Sequence, residues 1–339
     1  MATRYRTSLY GLLAALFLAQ PCLLTAQDLQ PWLTGYHSDS SLYEVARIDA
    51  STWWIAGENG LLRSVDSSGR CRVLSLPGSP VNLLRIRPAG RFVFVAGDQG
   101  TLFRYDKMHD SWQRWFLGAR YRRSSFYDLL VLPDGDLLLA GGHQEIAKGK
   151  LALPRGFILQ IDSACTREPV VRWSRPQGFV WALAADSSGT VYASTYDGLH
   201  SRLIRSTAPY TTFDRIEKID GLVHHLCWSG ETLWYSGACS LRYTRDGIVG
   251  QVGEATQVLV GYGCIWSLVP TPQGWLGLSQ SGHILAWQRE TDKIGILYRA
   301  PHALYEGASL SPSQYLLAGH GRQVMVLRLD KQDYMAMQP

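Results

Sequence analysis

The sequence predicts an all-β chain, a seven-bladed β-propeller of four-stranded antiparallel blades, and three observations carry that expectation. The first is a recurring unit, in which an apolar run, a turn of small residues and a second apolar run follow one another, most clearly in WWIAGENGLLRSVD at residues 53–66. The second is its period: the turn-entry residues Ala56, Ala96, Ala140, Ser194, Ser236, Leu278 and Ala318 are spaced 40 to 54 residues apart, the length of a propeller blade rather than of a helical repeat. The third is composition. No capped amphipathic helix pattern follows the first thirty residues, while 33 glycines and 12 tryptophans suit many turns and strands.

Each unit reads as two antiparallel strands around a tight turn, with Asn59 and Gly60 at central positions that favour positive φ. A third strand follows the turn, at Leu61, Leu102, Phe157, Leu203, Ser240, Ile284 and Val324. An innermost strand and a short turn precede it, as in DLLVLPDGDLLL at residues 128–139. Segments around Trp112, Trp173 and Ile296 supply outer strands and bring each unit to four.

In chain order, residues 1–26 read as a signal peptide: Arg4 and Arg6 open it, an apolar stretch covers residues 9–18, and Ala26 offers a cleavage site before Gln27. That stretch is too short to favour a permanent membrane span, so the chain is expected to be exported, to a periplasmic or extracellular location. The propeller occupies residues 27–330, and residues 331–339 read as a flexible tail. The blades fall at about residues 43–76, 81–117, 126–173, 179–219, 223–253 and 264–299, with the longest insertion at 144–155 in the third. The last unit, 304–329, shows only three clear strands. The segment after Gln27, with Pro31 in an edge position and residues 32–36 as the strand, is expected to complete it and close the ring.

Charge excludes one class of partner. The formal net charge is +5, and loss of Arg4 and Arg6 with the leader leaves +3, too mild for a nucleic-acid surface. The basic cluster Arg120, Arg122 and Arg123 sits in a connecting loop, as a solvated run or as a contact for an anionic partner. Five cysteines remain after leader removal: Cys71, Cys165, Cys227, Cys239 and Cys264. Cys239 and Cys264 fall on the same face of neighbouring units and form the disulfide candidate, against the alternative of buried free thiols.

The turns AGENGLLRS at 56–64 and GDQGTLFRY at 97–105 resemble the repeats of the photosystem II stability and assembly factor family, a branch of the bacterial-neuraminidase-repeat propellers. That family carries a small-Gly-x-x-Gly-x-apolar-x-Arg-Ser pattern followed by an Asp-Gly-Gly turn and Trp. Residues 64–69 keep part of the turn, with Cys71 where an aromatic would follow. LWYSG at 233–237 and WLGLSQSGHI at 275–284 are also similar to the sensor propellers of two-component regulators. The resemblance implies a propeller and, as an expectation, a binding or assembly role.

Superposing the innermost strands by their distance to the turn gives a column of Glu44, Leu83, Asp128, Trp181, His225, Trp266 and Glu306, with Tyr43, Tyr127 and Tyr305 preceding the three acids. The column is expected to ring the mouth of the central channel, where carboxylates, an imidazole and two indoles suit a polar ligand stacked on aromatics or a cation. Turn residues His143 and His320 should open onto the same face. The competing reading is structural, with the acids accepting backbone N–H groups and the rings packing between sheets.

No HExxH, CxxC, phosphate-cradling glycine loop or GxSxG occurs. Adjacent His224 and His225 cannot point to one side of a strand. No cofactor, metal site or catalytic set is therefore expected. Two functions follow: an exported, monomeric, non-catalytic scaffold that binds a protein or glycan partner through its top face and channel mouth, or a carbohydrate-active hydrolase or lyase using paired carboxyls there.

Overall fold

The computed structural model describes residues 29–31, 40–78, 80–143, 146–147, 150–151, 155–164, 166–176, 178–239, 245–322, 324–329 and 333. The expected architecture is the observed one: seven four-stranded antiparallel sheets stand in a ring. Six are meanders, five of them of strands consecutive in sequence and the sixth, blade three, with a two-stranded ribbon between its second and third strands. From the axis outward, blade one contains Leu42–Arg47, Thr52–Gly57, Leu62–Asp66 and Cys71–Val73. The innermost strands of blades two to six are Leu83–Ala89, Ser124–Val131, Phe179–Ala185, Leu222–Ser229 and Ile265–Pro270.

Blade seven is built from both ends of the chain. Leu304–Ser311, Gln314–Gly319 and Val324–Arg328 make its inner three strands, and Leu29–Pro31 is the fourth, with Leu29 opposite Leu327 and Pro31 opposite Met325. The closing strand thus lies just before the segment expected from sequence; Trp32 and its neighbours to residue 39 fall outside the described residues, as do residues 1–28 and most of residues 330–339. Proline suits the outermost position because an edge strand has one row of N–H groups with no ladder to join.

A second adjustment concerns blade five. Its third strand is Gly247–Gln251, paired with Trp234 to Ala238, and its outer strand is Gln257–Leu259. The segment that suggested a strand from Ser240 lies outside the described residues. The insertion in blade three carries a small ribbon, Ile146–Ala147 against Lys150–Leu151.

Sheet faces are apolar on both sides because each blade packs against two neighbours. The core is accordingly divided into seven clusters among the described residues, each between adjacent blades. Trp54, Val95 and Phe103 join blades one and two; Trp53, Ile55 and Leu316 join blade one to blade seven. There the Trp53 indole also donates to the Ser309 carbonyl at 3.2 Å.

The small residues of the repeating turn have a steric origin. A Cβ on Gly57, Gly97, Gly141, Gly237 or Gly319 would run into the carbonyl oxygen of Ser41, Asn82, Ser125, Leu222 or Ala303, each at or just before the start of its own blade's innermost strand. Positive φ is needed at the turn that follows, where Asn59 and Gly60 have φ of 56° and 71° and Gln99 and Gly100 repeat the pair at 59° and 65°.

Candidate functional site

Every innermost strand carries a β-bulge at its entry. The register against the second strand skips one residue in each blade: Tyr43, Leu84, Tyr127, Trp181, His224, Trp266 and Tyr305. A bulge sets two residues against one and re-aims a side chain. Here the seven extra residues all line one cavity of about 290 Å³ at the mouth of the channel, together with Ser41 and Arg85.

The bulge corrects the superposition made from sequence. Counting to the turn mixes two layers. The residues that pair just after the bulge are Glu44, Arg85, Asp128, Ala182, His225, Ser267 and Glu306, opposite Ala56, Ala96, Ala140, Ser194, Ser236, Leu278 and Ala318. Trp181 and Trp266 belong to the mouth layer, while Glu44, Asp128, His225 and Glu306 belong to the layer beneath and do not line the cavity. Leu83 lies outside both layers and is wholly buried between blades one and two.

The mouth layer is a girdle of rings in contact. Tyr127 and Trp181 have centroids 4.1 Å apart, Trp181 and His224 4.8 Å, His224 and Trp266 4.4 Å, Trp266 and Tyr305 5.5 Å, and Tyr305 and Tyr43 6.1 Å. Blade two alone contributes an aliphatic residue, Leu84, and beside it Arg85 also lines the cavity. The Tyr43 hydroxyl donates to Glu58 Oε1 at 2.8 Å. Burial pushes the Tyr127 phenol up to about 12 and raises that of Tyr305.

Beneath lies an ionic layer. Arg85 Nη1 donates to Glu44 Oε2 at 3.1 Å, and its Nε lies 3.4 Å from Asp128 Oδ1. Arg87 bridges the same two acids, with its Nη2 donating to Asp128 at 2.9 Å. Asp128 also accepts the backbone N–H of Leu129 and, across the interblade gap, that of Leu183, each at 2.8 Å. Glu306 accepts from Ser267 Oγ and from the Gly307 N–H. The His225 Nδ1 accepts the Leu268 N–H at 3.2 Å. The layer therefore stitches blade to blade, the structural role that competed with ligand binding in the sequence reading.

Three carboxyls here face two guanidiniums, and full ionisation would leave net negative charge in a closed interior. Protons relieve it. Burial pushes the Glu44 carboxyl up to about 7, Arg87 and Arg85 offsetting only part of that rise, and Glu306 is raised in the same way. Burial also depresses both imidazoles, His224 to about 3 and His225 to about 4, with Arg85 adding to each shift. Both rings are therefore neutral at neutral pH, one facing the mouth and one the layer below.

The turn histidines stand at the rim. His143 Nδ1 is 3.1 Å from Ser124 Oγ, and His320 Nδ1 is 3.3 Å from Ser41 Oγ, so only His320 touches a residue of the cavity wall. Cys239 and Cys264 are both free thiols and do not form the expected bridge. Cys264 is sealed in the interior, where burial raises its thiol well above the usual range, whereas Cys239 lies in the turn of blade five, beside the Gly247 carbonyl. Among the described residues no group of three His, Cys, Asp or Glu is arranged to hold a metal ion, and no helix is long and apolar enough to cross a membrane.

Sequence reasoning missed Leu84, Arg85 and Arg87. The available signal was the alternation of LLRIR at 83–87, which places two charges on a strand that must be buried.

Bulged innermost strands, interblade cores and a closing N-terminal strand make the chain a seven-bladed β-propeller with one aromatic mouth. No family model matches the chain, and no curated protein does. Among solved structures, it is similar to YCF48 bound to D1 peptide, at a TM-score of 0.68 and 15% identity, over 92% of this chain and 100% of that one. YCF48 from Cyanidioschyzon merolae aligns at 0.62 and 10% identity, over 89% of this chain and 99% of that one. A streptogramin B lyase aligns at 0.66 and 9% identity, over 89% and 97%. The propellers of a photosystem II assembly factor are thus structural neighbours, as the resemblance implied; at these identities the likeness is one of fold.

Proposed function

We propose that the protein is an exported, monomeric, non-catalytic binding scaffold, working in the periplasm or outside the cell, that takes a segment of a partner protein into its channel mouth. One observation carries this reading. Every blade sends its bulged residue to the same cavity, and six of the seven offer rings, while the carboxyls beneath are occupied by arginines, a serine and backbone N–H groups. Glycoside cleavage needs one exposed acid and one exposed base or nucleophile flanking a bond, and Glu44, Asp128 and Glu306 are 3%, 3% and 8% exposed.

Fold neighbours include both a peptide-bound propeller and a lyase, so fold alone does not choose between them. A peptide partner is favoured over a glycan because the wall is made mostly of ring faces with Leu84, and the Tyr43 hydroxyl is already given to Glu58. The test is affinity capture from the native cell envelope with the chain lacking residues 1–26, beside a screen of glycosides and polysaccharides. Reproducible capture of one protein without turnover supports the scaffold; turnover of any glycoside overturns it.

A further inference from the structure

We propose, resting on the scaffold reading, that the segment received by the mouth presents one aromatic side chain, whose ring completes the girdle at blade two while the backbone carbonyl of the same residue is held by Arg85. The girdle runs through contacting rings from Tyr127 by way of His224 to Tyr43 and is open where Leu84 stands. A guest ring above Leu84 meets the Tyr43 and Tyr127 rings on its two flanks, in the edge-to-face or offset arrangement that aromatic pairs favour. The cavity, about 290 Å³, has room for one such side chain.

Charge decides against a cationic guest, which aromatic rings otherwise attract. The formal charge in the wall of the cavity is that of Arg85, and the acids that balance it lie beneath, already engaged. His224 is more than nine-tenths buried, makes no hydrogen bond among the described residues and is held neutral, so it contributes a ring. The oxygen-binding element is on the same side. Arg85 spends Nε on Asp128 and Nη1 on Glu44 and on the Leu84 carbonyl, and its Nη2 makes no hydrogen bond among the described residues. A guanidinium carries five N–H donors in a fixed plane, so the Nη2 pair is left to receive an acceptor oxygen.

The test uses the chain without residues 1–26 and three neutral-backbone probes, N-acetyltryptophanamide, N-acetylleucinamide and N-acetyllysinamide, titrated by NMR. The expected result is that the tryptophan probe binds at least tenfold more tightly than either of the others, and that Leu84→Trp, which fills the gap from within, abolishes its binding with the melting temperature unchanged. Trp266→Ala should weaken it by about tenfold. Equal binding of the lysine probe, or undiminished binding to a folded Leu84→Trp variant, overturns the proposal. Failure of this inference is separable from failure of the scaffold reading: a partner captured equally well by Leu84→Trp refutes the aromatic guest alone, whereas glycoside turnover removes the scaffold itself.

Discussion

Asp128 in blade three accepts the backbone N–H of Leu183 in blade four at 2.8 Å, so a carboxyl beneath the channel mouth holds two sheets at a fixed spacing. The same group faces Arg85 and Arg87. Asp128→Ala would leave the Leu129 and Leu183 N–H groups without this acceptor and Arg85 and Arg87 with Glu44 as their remaining carboxyl. A loss of about 3–5 kcal/mol is expected, read by urea denaturation, with Asp128→Asn losing less because it still accepts the Leu183 N–H.

Glu44 gives stability a dependence on alkali. Its carboxyl titrates at about 7 in the folded chain, above the ordinary value of 4.5. The folded state therefore holds a proton that the unfolded chain releases, so this contribution is complete below about pH 4.5 and is lost as pH rises through about 7. The melting temperature should fall between pH 5.5 and 8, and Glu44→Gln should flatten that decline.

The histidines act in the opposite sense. His224 and His225 are depressed from 6.5 to about 3 and about 4, so the unfolded chain takes up protons that the folded one refuses. Their stability is complete above about pH 6.5 and is lost as pH falls through the folded values, by up to ~1.4 kcal/mol per pH unit for each ring. His224→Phe keeps the ring contacts with Trp181 and Trp266 and should shift the acid midpoint of unfolding downward, measured by circular dichroism from pH 7 to 3.

Gly97 tests the steric origin of the repeated turn. A methyl group there would strike the Asn82 carbonyl oxygen, which receives the Asp98 N–H at 3.0 Å. Gly97→Ala should cost on the order of 1–3 kcal/mol. Gly253→Ala is the control: a Cβ there meets nothing within 4 Å, although its φ of +91° still exacts a backbone strain. Differential scanning calorimetry should place the Gly97 variant well below the control.

The number of blades and the closure were legible because both depend on short-range chemistry: the turn Asn59-Gly60 with positive φ, the small residue beside a crossing carbonyl, and an edge proline at Pro31. The layers of the mouth were not. The hairpins differ by a residue in length, Glu44 preceding Ala56 by 12 residues and Arg85 preceding Ala96 by 11, so a count along the chain mixed the layers and set Trp181 beside Glu44 although its ring belongs with Tyr43. Pairing each inner strand against Ala56, Ala96 and their equivalents, rather than counting to the turn, would have brought Leu84-Arg85 beside Tyr43-Glu44. The free state of Cys264 was equally hidden, since chain spacing says nothing about how deeply a thiol is sealed.

The pairing of Leu29 with Leu327 imposes an order of events on folding. Leu29–Pro31, first of the described strands, has no sheet to join until Val324–Arg328, the last of them, has formed its hairpin with Gln314–Gly319. Contacts of such sequence separation form slowly, and until this one forms, Val324–Arg328 is a bare edge open to a strand from another molecule. Removing residues 29–31 should leave the six meander blades able to assemble and the population prone to end-to-end association, visible as concentration-dependent growth in light scattering.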